Sequence, residues 1–159
     1  MIQMARTVGV FMAVFAVQAT AWAKPRAEPE VPSGLRSHLV SCTVVPDTER
    51  PNCPRIQAMI LTDFTKAMAG DYQGQRNTAV YFRDGGAALS VSGRTPFLFP
   101  NPIQSCAWRM VILDSGHAEI NQVDTNNLRI SCNDLGEVER SAARVRSQQI
   151  MKEIRARRR

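Results

Sequence analysis

Apolar positions recur along this chain with two different periods, and the change of period predicts its elements. Ile56, Met59, Ile60, Phe64 and Met68 follow one another at spacings of 3, 1, 4 and 4, the signature of one helix face. Pro54 suits a first helical position and Gly70 closes the run, so a helix is predicted over about 54–69 with this stripe in the core. Thr78 to Arg83 is β-branched and aromatic, Asp84-Gly85-Gly86 signals a turn, and Leu89 and Val91 alternate with Ser90 and Ser92. That pattern predicts two paired strands. His38 to Val45 reads as a short strand carrying Cys42, followed by a polar loop over Pro46 to Asn52. Phe97-Leu98-Phe99, bracketed by Pro96 and Pro100, reads as an edge strand or a packed loop.

Further on, Cys106, Trp108, Met110 and Ile112 would share one face of a strand, and Leu128, Ile130 and Cys132 one face of another. Turn-like Asp114-Ser115-Gly116-His117 and Thr125-Asn126-Asn127 flank a third segment, about 118–124. From Leu135 helix formers dominate. Val138, Ala142 and Val145 fall at helical spacing before Ile150 and Ile154 displace the stripe, which predicts a helix over about 137–155 docked in its first half. The predicted fold is a small disulfide-stabilised α+β domain. It has an antiparallel sheet of four to five strands between 78 and 132, one helix before the sheet and a basic C-terminal helix.

The first residues are set apart from this pattern. Arg6 precedes an apolar stretch from Val8 to Val17, and Ala21-Trp22-Ala23 offers small residues for cleavage, the layout of a secretory signal over 1–23. The stretch is shorter than the roughly 20 residues that span a bilayer. The chain is therefore expected to be exported, periplasmic or secreted, after cleavage near Ala23. A Pro-rich lead-in over 24–37, expected to be flexible or extended, would precede the domain at 38–136 and the basic helix and tail at 137–159.

Export changes the reading of the cysteines. Four of them, Cys42, Cys53, Cys106 and Cys132, predict two disulfides. The pairing expected is Cys42–Cys53 with Cys106–Cys132. It holds an internal conflict: strands through Cys106 and Cys132 that pair directly bring the two together. A meander through 118–124 instead holds them roughly 20 Å apart at 3.3 Å per residue, beyond disulfide reach. Either the middle segment is not a regular strand, or the pairing crosses to Cys42 and Cys53.

The 159 residues carry 20 Lys+Arg against 14 Asp+Glu, and the excess is not spread evenly. Residues 140–159 hold eight basic side chains against Glu153, a net of +7, while 24–139 net −2. Arg144, Lys152, Arg155, Arg157, Arg158 and Arg159 are the expected contacts to an anionic partner, an envelope component or an acidic protein face. Cations also favour a helix C-terminus for reasons of dipole and solubility alone. No aromatic residue is interleaved for base stacking, which together with export argues against nucleic acid. Peripheral membrane contact fits the charge, whereas insertion does not, since no Trp or Phe follows Arg140.

Catalytic signatures are missing. GxSxG, SxxK, HExxH and GxxxxGK[ST] do not occur, and two histidines without a CxxC implicate neither a metal nor a cofactor. Asp114, Glu119 and Asp124 fall in one block, the residue type that glycoside cleavage uses in pairs, but such clustering is commonplace. Asp124, Asn126 and Asn127 lack the spaced series of a calcium loop. The loop closed by Cys42 and Cys53 could present Arg50, with Pro51 resisting cleavage, in the manner of a secreted hydrolase inhibitor, or simply staple the chain before Pro54. Phe97 and Phe99 would point the same way from an extended segment and could anchor a partner or enter the core. The reading reached is an exported, non-enzymatic binding or envelope-associated protein. A hydrolase inhibitor and a small secreted hydrolase using His117 are the alternatives.

Overall fold

The computed structural model describes residues 33–158. The expected signal segment, residues 24–32 of the lead-in, and Arg159 lie outside the described residues. The predicted antiparallel sheet is absent: among the described residues the chain is helical, and the only β pairing is one isolated bridge between Leu39 and Leu98. The elements are a helical turn α1 (Ser33–Arg36), then α2 (Cys53–Met68), α3 (Tyr72–Asp84), α4 (Pro102–Asp114), α5 (Gln122–Asn133) and α6 (Glu137–Arg157), with a short 3-10 turn at Ala87–Leu89.

The predicted helix over 54–69 forms as α2, one residue earlier at each end, and buries Ile56, Ile60, Phe64 and Met68. The predicted strand at Thr78–Arg83 is the second half of α3. Asp71 starts that helix by accepting from the Gly74 amide, and Gly85 ends it with φ +72, a left-handed conformation that glycine takes without strain. Gly74 also sets how closely α3 crosses α2, because a Cβ there would stand 2.7 Å from the backbone nitrogen of Ala67. The Leu89–Val91 strand is replaced by the 3-10 turn and bends. The segments 38–40 and 97–99 pair over one step only, Val40 N–H donating to Phe97 O and Phe99 N–H to His38 O.

The segments read as strands through Cys106–Ile112 and Leu128–Cys132 are α4 and α5. Asn101 caps α4 by accepting from the Gln104 amide, with Pro102 behind it; Asn121 and Asp124 form a capping box on α5. Both disulfides form as paired above, with Cα separations of 5.7 Å for Cys42–Cys53 and 5.1 Å for Cys106–Cys132. The register conflict vanishes because the 118–124 segment is a short connection and the start of α5, so α4 and α5 run antiparallel with their cysteines side by side.

Helix α4 is the hub. It packs against α3, α5 and α6, and α2 reaches it through Phe64, whose ring meets Trp108 edge-on at 5.8 Å. Seven of its 13 residues are buried, including Trp108, Val111 and Ile112. Helix α6 docks from Ala143 to Ile154, reaching well past its first half, while its first six residues are exposed. Ala143, Ser147, Ile150 and Ile154 face the core at spacings of 4, 3 and 4, while Val138 and Val145 are exposed.

Candidate functional site

The basic positions of the segment 140–159 differ in what they touch. Arg144, Lys152 and Arg155 fall within about 80° of one another at 3.6 residues per turn. All three are exposed, and none makes an ion pair among the described residues. With Gln148 and Ala156, Lys152 and Arg155 line a surface depression. Arg157 is exposed on a different side of the helix. Arg158 is engaged: its guanidinium donates to the carbonyls of Gly70 at 2.9 Å and Ala69 at 3.4 Å, tying α6 to the end of α2. Arg159 is outside the described residues. Arg146, 3.6 Å from Glu153 and 3.4 Å from the Gln104 side chain, links α6 to α4, and Arg140 donates to Leu135 O.

Other candidate residues do not converge on this face. In the Cys42–Cys53 loop Arg50 is exposed, paired with Asp47 at 2.6 Å and reaching Val45 O at 3.5 Å. Phe97 is buried and Phe99 is 55% exposed, so the two do not form one anchor. His117 packs against Tyr72 with ring centroids 5.5 Å apart, and its Nδ1 lies 3.9 Å from Glu119. Among the described residues no serine hydroxyl bonds its imidazole; Ser115 Oγ donates to Ile112 O and accepts from the His117 backbone. Asp124 is buried. It accepts from Tyr72 Oη at 2.5 Å and from the Asn121 amide at 3.2 Å, and it pairs with Arg76 at 3.2 Å. Burial and the Asp124 carboxylate both push the Tyr72 hydroxyl above its ordinary pKa, so it stays a donor. Both hydrogen bonds fall on Oδ2, while Oδ1, sealed without a hydrogen bond of its own, faces the Arg76 guanidinium, so Asp124 is a buried carboxylate paired within the fold and not a free partner for a catalytic carboxylate pair.

Composition and spacing gave no weight to a second cationic feature. Arg109 is 2% exposed on α4, its Nε sealed without a hydrogen-bond partner, and it has no ion pair among the described residues. Burial pulls its guanidinium down to about 10, and the neighbouring charges of Arg83 and Arg76 push the same way against the opposing pull of Asp124 and Tyr72. The signal was a lone arginine inside the apolar run Cys106–Leu113.

Among the described residues no group of His, Cys, Asp and Glu is arranged to hold a metal, and no helix is long and apolar enough to cross a membrane. No family model, curated protein or solved structure matches this chain.

Proposed function

We propose that the protein is an exported, non-enzymatic binding module that attaches to an anionic envelope surface through α6. The observation that carries this reading is the band of Arg144, Lys152 and Arg155, exposed on a rigid helix with no acidic partner among the described residues. Its three charges are held at fixed spacing by a helix whose opposite face is locked into the core, so little ordering is needed on contact. The leader-like first 23 residues support export, and two disulfides fit an oxidising compartment.

Sedimentation with vesicles of phosphatidylglycerol and phosphatidylcholine, against phosphatidylcholine alone, tests it. A basic residue near an anionic surface is worth about 1 kcal/mol, so the Arg144→Gln/Lys152→Gln/Arg155→Gln variant should bind on the order of 100-fold more weakly. Binding of the unaltered protein should fade as salt rises from about 0.05 M to about 0.3 M, because the Debye length shrinks below the reach of the side chains. Equal binding by the two proteins would remove the proposal.

A further inference from the structure

From Ser105 to Ile112 every residue of α4 is buried except Met110, which is half-buried. The gap over it lies between α5 and α6. Both helices rest on α4 but scarcely pack on each other, although residues 134–136 join them directly. The groove so formed has a volume of about 400 Å³. Met110 is its floor, and its α5 wall is the stripe Thr125, Leu128 and Cys132, which shares one helix face. Leu128 is half-buried and takes no part in the core. Two arginines border this apolar surface, Arg129 from α5 and Arg140 from α6. The Arg129 side chain makes no ion pair or hydrogen bond among the described residues. One nitrogen of Arg140 donates to Leu135 O, which fixes its guanidinium beside the 134–136 connection and leaves further N–H groups to donate. Among the described residues no acidic side chain lines the groove; Asp134 lines a separate depression beside Arg83.

We propose that this groove binds a dissolved single-chain amphiphile with an anionic head, its hydrocarbon laid along Met110, Leu128 and Cys132 and its head at Arg129 and Arg140. The volume falls in the range of small-molecule sites, which combine a mostly apolar lining with a few charged groups that fix orientation. Methionine suits the floor, because an unbranched thioether adapts its shape to the chain laid on it. From Thr125 to Cys132 the wall runs about 10 Å at 1.5 Å per residue, roughly the length of an extended octanoate chain. Two arginines without an acidic neighbour on the lining attract an anionic head and repel a cationic one, which sets the sign of the ligand. Arg144, Lys152 and Arg155 do not line the groove, so this site does not depend on the α6 band.

The test follows the Met110 methyl resonance by NMR, assigned by its loss in Met110→Leu, while the full chain is titrated with octanoate, butanoate and octyltrimethylammonium. Octanoate should shift that resonance saturably below its micellar range. Butanoate, whose chain is shorter, should bind at least about tenfold more weakly because fewer methylenes are buried. Octyltrimethylammonium, the same chain under a positive head, should bind several-fold more weakly than octanoate. Arg129→Gln, exposed and without a side-chain contact in the fold, should melt with the unaltered protein and weaken octanoate about threefold. Leu128→Gln, outside the core, should weaken it about tenfold. No saturable shift with octanoate, equal affinity for butanoate or for the cationic amphiphile, or undiminished binding in either variant would each overturn the assignment. A Met110 shift seen only with phosphatidylglycerol vesicles would give the groove to a bilayer and overturn it as well.

Discussion

Glu49 sits inside the loop closed by Cys42–Cys53, 1% exposed, and its carboxylate accepts from the backbone N–H groups of Val91 and Ser92 at 3.1 Å each. One side chain thereby joins two turns more than 40 residues apart in sequence. Burial alone would raise its pKa, but the hydrogen bonds from Ser92 and Val91 outweigh it, and the folded carboxyl is held below its ordinary value of 4.5. A carboxyl with a depressed folded pKa stabilises the fold above the unfolded value and stops doing so as pH falls through the folded one. The urea midpoint of the unaltered protein should therefore drop more steeply between about pH 5 and about pH 3 than that of Glu49→Gln. Glu49→Gln should also be the less stable of the two at pH 7, since its amide can turn only one acceptor toward two donors. Identical pH profiles would show that the carboxylate does not carry the contact. Arg109 has the opposite sign: a base depressed to about 10 gains stability only as pH rises past that value, so its burial cost is undiminished at neutral pH.

At the scale of elements, what the sequence disclosed depended on whether a helix showed a single buried face. Helix α2 did, with Pro54 at its start, and it was legible almost to the residue. Helix α4 did not: Ser105 to Arg109 are all buried, so its apolar residues carry no 3.6 period, and an apolar run of that kind resembles a buried strand. Helix α5 fails in the other direction, since only Asp124 is buried and the alternation of Leu128, Ile130 and Cys132 imitates a strand. In α3 the β-branched and aromatic run Thr78–Phe82 was overridden by packing against α2 and α4. The caps were present in the letters, Asn101 before Pro102 and Asn121 three residues before Asp124, and they mark helix starts where the alternation suggested strands. The disulfide pairing held although the paired strands expected to bring Cys106 to Cys132 are helices, whereas the burial of Arg109 was not legible, because it exists only once other helices surround α4. A helix with so little buried surface depends on its covalent tie. Replacing Cys106 and Cys132 together by serine should cost about 3 kcal/mol and raise amide exchange over 122–133 well before 53–84. Uniform exchange across both regions would show that α5 is held by other means.

The whole molecule is a bundle completed from its far end. Among the last described residues Ile150 and Ile154 are buried against the rest, and Arg158 closes the end of α2. Each buried isoleucine is worth about 1.5–3 kcal/mol, a large part of the roughly 5–15 kcal/mol that holds a domain together. A chain ending at Gln148 should thus lose at least about 10 °C in Tm, whereas the Arg144→Gln/Lys152→Gln/Arg155→Gln variant should melt within about 2 °C of the unaltered protein. Circular dichroism melts decide it, and an unchanged Tm in the shortened chain would show that the second half of α6 is dispensable.

The bond from Arg158 to Gly70 also carries a consequence for the newborn chain. Synthesis proceeds at about 5–20 residues per second, so α2, α3 and α4 exist for several seconds before the segment that covers them has been made. During that interval the flank of α4 that α6 will cover is bare, and it offers a nascent-chain chaperone an apolar stripe that the finished protein no longer shows.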